Sequence, residues 1–268
     1  MQGRIMSKKE NLTTKKAEKM VGEHIVIPDG YINIGKNAFS YRSIKSIIIP
    51  ESVVTIGRQA FMYCRSLEQI TIPNNIKMIG EEAFNYCGSL TSITIPDCVI
   101  LTSTQKSPAF HGCSSLTDIL VCENHLKYSC QDGVLFNKDK TTLIRCPEGK
   151  TGSYIIPDGV KNIAHSAFHW CDSLTSVTIP NSMMSIYCFA FTSCNLLTRI
   201  EIPDNVELIS KSAFVFFSDK KSMTATYKGK TYSTYGYNTI EQCRYNYYNL
   251  PQEFYDAINK KEGDFYGA

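Results

Sequence analysis

No stretch of the 268 residues is apolar for more than a few positions, Ile47-Ile48-Ile49 being typical, so nothing reaches the roughly 18 to 20 apolar residues of a membrane-spanning helix. No excess of one charge is present either. The chain has 28 basic and 25 acidic residues, and residues 25–217 hold 15 and 16, so the basic footprint of a nucleic-acid binder is missing. Lysines occur in residues 1–24 without an apolar stretch after them, and no cleavable secretion signal is expected there. No two cysteines are spaced Cys-x-x-Cys, and neither a Gly-x-Ser-x-Gly elbow nor a complete Gly-x-x-x-x-Gly-Lys-Ser/Thr phosphate loop occurs. The usual zinc, hydrolase and nucleotide signatures are thereby absent. What the chain does have is 43% hydrophobic residues, enough to bury a core and to exclude wholesale disorder.

That apolar material is periodic. Ile-Pro pairs end at Pro28, Pro50, Pro73, Pro96, Pro157, Pro180 and Pro203, with spacings of 22, 23, 23, 61, 23 and 23. An Ala-Phe pair follows each proline by ten residues, except at Ala109-Phe110, where the offset is thirteen. The unit reads Pro-x-x-(Val/Ile)-x-x-Ile-(Gly)-x-x-Ala-Phe-x-x-Cys-x-x-Leu-x-x-Ile-x-Ile. Alternation in Ile70-Thr71-Ile72 or Ile93-Thr94-Ile95 predicts one short strand per unit with two side chains inward. Proline has no N–H for a ladder, so it ends the strand. Alanine and phenylalanine sit where a turn of helix would cross to the far side. One such unit cannot close a core, and stacking of successive units buries a continuous one. Phe39, Phe61, Phe84, Phe110, Phe168, Phe191 and Phe214 are then core residues, as are Cys64, Cys87, Cys113, Cys171 and Cys194, which share a single slot.

The interval from 97 to 156 breaks the period. Its first part is a normal rung with a longer turn at Leu101 to Pro108; its second, at 122–156, is irregular. Val134-Leu135-Phe136 and Thr142-Leu143-Ile144 read as strands of a β-hairpin joined by Asn137-Lys138-Asp139-Lys140. Residues 1–24 read as a lead, a short helix over Lys8 to Met20 or a disordered segment. Residues 218–268 hold nine of the 16 tyrosines and read as a cap, with a hairpin turned at Lys228-Gly229 and a helix over Pro251 to Lys260 presenting Phe254, Tyr255 and Ile258. A tyrosine cluster could instead be an interface, but a cap on the last rung is the reading preferred.

Chemistry finds little purchase. Stacked cysteines in one slot would have parallel Cβ vectors, which opposes the roughly 90° S–S torsion, so free buried thiols are expected. Such a set, with an odd total of eleven, fits a reducing or anaerobic setting. Cys122, His125, Cys130 and Cys146 form a mixed set that could hold a metal, though ordinary partly buried side chains are preferred. His165, His169 and Cys171 could offer two imidazoles on one turn. However, His169 and His111 occupy the slot held elsewhere by Ser40, Met62, Asn85 and Thr192, and that variety predicts solvent exposure. No catalytic residue, metal ligand or cofactor is expected.

The motifs Ile72-Pro73, Ile79-Gly80, Ala83-Phe84 and Cys87 to Leu90, with the Asp132-Gly133-Val134-Leu135-Phe136 segment, resemble the BspA-like leucine-rich repeats of about 23 residues. The resemblance covers residues 25–217. It implies a right-handed leucine-rich repeat solenoid, mainly β with short helical turns, one parallel strand per repeat, an irregular hairpin unit in the middle and a C-terminal cap. It also implies a surface or secreted protein that binds proteins, glycans or host matrix, whereas the missing secretion signal and the thiols point the other way. Outward strand positions place Ile48, Thr71, Thr94, Leu120, Ile155, Thr178 and Glu201 in one column, beside Ser46, Gln69, Ser92, Asp118, Ser153, Ser176 and Arg199. Stacked strands would make these one continuous face, with Ile48, Leu120 and Ile155 as apolar contacts among hydroxyls for an extended protein or glycan partner. A solvated Thr/Ser ladder chosen for strand propensity is the alternative. The expected role is non-catalytic binding by a monomer; a spacer module, or a metal or hydrolytic site in the irregular unit, are the competing readings.

Overall fold

The computed structural model describes residues 10–102, 110–215, 223–233, 235–237 and 247–259. The chain divides into two compact units, Met1–Gly133 and Val134–Ala268, a boundary that falls inside the irregular segment.

In the first unit each repeat supplies two strands rather than one. The alternating segments form β2 (His24–Val26), β4 (Ser46–Ile48), β6 (Gln69–Thr71), β8 (Ser92–Ile95) and β10 (Asp118–Val121). They are parallel, with Ile25 opposite Ile47, Ile47 opposite Ile70, and Ile93 opposite Ile119. A second parallel column comprises β1 (Glu10–Leu12), β3 (Tyr31–Ile34), β5 (Thr55–Ile56), β7 (Met78–Ile79) and β9 (Ile100–Leu101), aligning Leu12, Ile34, Ile56, Ile79 and Leu101. Two-residue strands show no alternation, so this column is invisible to a period-two search. The glycine that follows it is required by proximity. A Cβ on Gly57 would lie 2.8 Å from the Ile34 carbonyl oxygen, and one on Gly80 would lie 2.6 Å from the Arg58 nitrogen.

The Ala-Phe side is a run of tight turns, not a turn of α-helix. Amides of Ala38 and Ser40 close back on the carbonyls of Gly35 and Asn37, while those of Asn37, Phe39 and Tyr41 donate across to Arg58, Ala60 and Met62 at 2.8–3.1 Å. This alternation requires left-handed residues, and φ is +56° at Asn37 and Gln59 and +63° and +60° at Tyr41 and Tyr63. Those residues stop any helix from propagating, and the amides they turn outward form a third hydrogen-bonded column.

The lead also differs from expectation where it is described. Leu12 lies one period before Ile34 and pairs with it, which makes β1 the first rung of the second column. A short helix α1 (Thr14–Ala17) follows, Leu12 and Ala17 are buried, and the Arg42 guanidinium donates to the carbonyls of Ala17 and Met20.

The first unit ends on β11 (Tyr128–Gln131), and the second opens on the antiparallel hairpin of β12 (Val134–Asn137) and β13 (Thr142–Arg145). Its turn is held by Asn137, whose Oδ1 accepts from the Thr142 amide at 2.8 Å, and by Asp139, whose Oδ1 accepts from the Thr141 hydroxyl at 2.9 Å. From β13 a parallel column runs through β15 (Asn162–Ile163), β17 (Ser185–Ile186) and β19 (Leu208–Ile209). The other column comprises β14 (Gly152–Ile155) with β16 (Leu174–Thr178), then β18 (Arg199–Ile202) with β20 (Thr224–Tyr227). At Lys228-Gly229, φ +49° and +74°, the chain reverses into β21 (Lys230–Ser233) antiparallel to β20. Tyr235–Tyr237 (β22) and Tyr247–Asn249 (β23) pair antiparallel, and α2 (Gln252–Ile258) follows. Phe254, Tyr255 and Ile258 are buried, with the Phe254 ring edge-on to Phe214 at 6.1 Å and to Tyr232 at 5.2 Å. Asn259 ends the β19 ladder by imitating a further strand: its Oδ1 accepts from the Ile209 amide and its Nδ2 donates to the Ile209 carbonyl, at 2.8 and 2.9 Å.

Candidate functional site

The outward strand positions are set by register. In the first unit Val26, Ile48 and Thr71 lie opposite one another on β2, β4 and β6, and Thr94 lies opposite Leu120 on β8 and β10. Val26 is 65% exposed, Ile48 59% and Leu120 42%. Val26 belongs to the column but is absent from the expected set; its position two residues before Pro28, matching Ile48 before Pro50, was the available signal. Asp118 is half-buried, and its Oδ2 accepts from the Thr117 hydroxyl at 2.7 Å.

In the second unit Ile155, 70% exposed, lies opposite Thr178, and Ser153 opposite Ser176. Arg199 and Glu201 stand on β18, joined by an exposed ion pair of 2.8 Å. Such a pair in open solvent adds well under about 1 kcal/mol of stability. A groove of about 410 Å³ gathers Thr178, Arg199 and Glu201 with Thr175, Asn181 and Pro203. Thr175 and Asn181 were not singled out in the sequence, and Pro203 was read there only as the residue that ends its strand.

The face is not the continuous sheet that stacking predicts. Among the described residues, strand pairing joins β2, β4 and β6, then separately β8 and β10; in the second unit it joins β14 and β16, then β18 and β20. No ladder links β6 to β8 or β16 to β18. At the second break the groove lies between the neighbouring strands β16 and β18. Thus the nine expected residues form short patches: Ile48 with Thr71, Thr94 with Asp118 and Leu120, Ile155 with Thr178, and Thr178 again with Arg199 and Glu201 across the groove.

Beneath the face each unit has a phenylalanine stack. Phe39, Phe61, Phe84 and Phe110 follow at centroid spacings of 5.4, 5.3 and 6.0 Å, and Phe168, Phe191 and Phe214 at 4.9 and 5.3 Å, all nearly parallel and buried. The shared cysteine slot has a polar reason as well as a steric one. Cys64, Cys87, Cys113 and Cys194 donate their thiol protons to the carbonyls of Phe39, Phe61, Phe84 and Phe168 at 3.0–3.2 Å. Cys171 turns instead to the carbonyls of Cys146 and Pro147. All five are buried thiols, as is Cys146; Cys243 lies outside the described residues. Burial pushes the Cys64 thiol up to about 11 and raises Cys87, Cys171 and Cys194 well above the usual thiol range. Thiols so held are poor nucleophiles.

Of the groups considered for metal chemistry, His125 and Cys146 are buried, and Cys122 and Cys130 are half-buried. His125 is buried, its Nε2 at 3.0 Å from the Val99 carbonyl and its Nδ1 accepting from the amides of Lys127 and Tyr128 at 3.1 Å, which uses both ring nitrogens. Among the described residues no three His, Cys, Asp or Glu side chains converge as metal ligands would. The slot that carries His111 and His169 is not solvent-exposed as its variety suggested. Asn85 and Thr192 are buried there and the two histidines are half-buried, since the slot lies between successive turns. Arg145 and Glu148 form a buried ion pair at 2.5 Å, with a second guanidinium nitrogen donating to the Ser166 carbonyl.

With this geometry in hand, the family described as BspA type leucine rich repeat region matches residues 32–151 and 146–261, in six copies. The chain belongs to the BspA-type leucine-rich repeat family. No match was found among curated proteins. Among solved structures the repeat fold is similar to the pneumococcal vaccine antigen PcpA, with 26% identity and a TM-score of 0.57 over 70% of this chain and 58% of that one. It is also similar to a leucine-rich repeat protein from Eubacterium ventriosum, with 23% identity and a TM-score of 0.55 over 76% of this chain and 62% of that one. The chain spans less than two thirds of either. Among the described residues no helix is long and apolar enough to cross a membrane.

Proposed function

We propose that this BspA-type leucine-rich repeat chain is a non-catalytic, adhesin-like binding protein displayed at a cell surface, and that its outward strand patches receive a protein partner. The observation that carries the reading is the exposure of Val26, Ile48, Leu120 and Ile155. Threonine satisfies strand propensity at the same positions in Thr71, Thr94 and Thr178, so large aliphatic side chains are not needed for the fold there. Aliphatic groups ringed by hydroxyls are the makeup of a contact core with a polar rim. A vaccine antigen among the similar structures supports a surface location, and the free thiols of the described residues are compatible with a surface in an anaerobic habitat.

The test uses single lysine substitutions of Ile48, Leu120 and Ile155, each on an exposed strand position and so expected to leave the circular dichroism spectrum unchanged. Binding to a protein partner captured by the natural chain should fall at least about tenfold in one or more of them, a loss of roughly 1.4 kcal/mol. Unchanged affinity in all three variants would make the strand face a spacer and overturn the proposal.

A further inference from the structure

The repeat position two residues after the core phenylalanine is left-handed in every described turn that carries the motif in the first unit: φ is +63° at Tyr41, +60° at Tyr63, +61° at Tyr86 and +75° at Gly112. Glycine adopts this conformation without penalty, whereas a bulky side chain is strained there. Three tyrosines bear that penalty, and Gly112 in the same slot shows that the turn geometry alone does not call for tyrosine. Strain kept where Tyr41 is exposed and Tyr63 and Tyr86 are half-buried points to a use for the side chains.

The rings form a row. Tyr41 and Tyr63 stack at 4.6 Å and Tyr63 and Tyr86 at 4.4 Å, with interplanar angles of 18° and 2°. The row ends on Gly112, where a Cβ would lie 2.9 Å from Cγ of Tyr86. At its other end Tyr41 is 72% exposed. Its neighbour Arg42 is turned inward, over the Phe39 ring and onto the carbonyls of Ala17 and Met20. The exposed Arg65 guanidinium lies 5.6 Å from the Tyr63 centroid.

We propose that this row is a saccharide-stacking site, in which the open ring face of Tyr41 receives the C–H face of one pyranose and Arg65 with the phenol hydroxyls offers hydrogen bonds at the rim. Spacings of 4.4–4.6 Å leave no slot between rings, so a proline or aliphatic side chain cannot wedge in as it does at peptide-binding grooves. The flanking Arg65 guanidinium disfavours a cationic ligand. A pyranose offers what remains: polarised C–H groups for the negative face of the ring, with hydroxyls around its edge. The site lies on the Ala-Phe turns, not on the strand face, and stands or falls independently of the protein-binding proposal.

Saturation-transfer NMR on the full chain with maltohexaose and with chitohexaose tests it. Transfer to the pyranose ring protons of at least one, with a Kd on the order of 1 mM, is expected. Tyr41→Asn should remove that signal; asparagine tolerates the left-handed region, so the variant keeps its fold, checked by its circular dichroism and Tm. Tyr41→Trp should preserve the signal. Absence of transfer from both sugars, or an undiminished signal in folded Tyr41→Asn, would overturn the proposal.

Discussion

Replacing Phe84 with alanine probes the stacked core at its centre. The ring is buried between Phe61 at 5.3 Å and Phe110 at 6.0 Å, nearly parallel to both. Phenylalanine-to-alanine changes in packed cores cost about 3 to 5 kcal/mol through lost transfer energy and the cavity that remains. Loss of two ring contacts, each about 0.5 to 1.5 kcal/mol, places Phe84→Ala at the upper end. Collapse is opposed because the neighbouring Phe61 is tied through its backbone: its amide donates to the Ala83 carbonyl and its carbonyl accepts from the Cys87 thiol. Phe84→Leu keeps most of the volume and forfeits the stacking, a loss of about 1 to 2 kcal/mol. Guanidinium unfolding followed by far-ultraviolet circular dichroism measures both, and an unchanged m-value would show that the same surface unfolds. A loss below about 1.5 kcal/mol for Phe84→Ala, or equal losses for the two variants, would refute the stacked-core reasoning.

Four more outcomes follow from the same structure. The raised thiols hold their protons in the fold and release them near 9.0 when unfolded, so their stabilisation is complete below that value and declines as pH rises towards about 11. Thermal melting between pH 8 and 11 should show stability falling by up to about 1.4 kcal/mol per pH unit for each such thiol, and a flat profile would contradict the burial. Ellman's reagent on the native chain should modify the exposed Cys98 promptly and Cys64, Cys87, Cys113, Cys171 and Cys194 only on unfolding. Arg145→Met strands the Glu148 carboxylate in the core and should cost about 3 to 5 kcal/mol, much of it recovered in the Arg145→Met, Glu148→Leu double variant, as denaturant titration would report. Gly112→Ala places a methyl against the Tyr86 ring at φ +75° and should lower stability by more than about 1 kcal/mol.

The repeat itself was legible because its anchors are rigid in meaning: proline after an alternating strand, alanine where turns approach, phenylalanine filling the layer. Elements without such a signature escaped. The two-residue strands such as Thr55–Ile56 carry no alternation, and the Ala-Phe turns depend on left-handed residues such as Gln59 and Tyr63, whose identity gives no hint of φ. Leu12, one period upstream of Ile34, could have revealed β1 but has no proline or Ala-Phe anchor beside it. The cysteine slot was read as a core position holding free thiols, whereas its thiol also serves the phenylalanine carbonyl of the preceding turn, a contact between residues 25 to 29 apart in sequence. For the candidate face, side-chain direction followed from period two, and the breaks between β6 and β8 and between β16 and β18 did not, because register says nothing about how far neighbouring strands separate.

The central claim, that the outward strand patches receive a protein, is tested most directly by site-specific photocrosslinking. A photoreactive residue would replace Ile48, Leu120 or Ile155, with the exposed Arg58 and Lys161, away from the outward strand positions, as controls. The full chain would be irradiated with surface extract of its source cells. A discrete crosslinked band from one or more strand positions, absent from both controls and competed away by unlabelled chain, is the predicted result. Bands of equal intensity at the control positions, or none at the three strand positions, would contradict it.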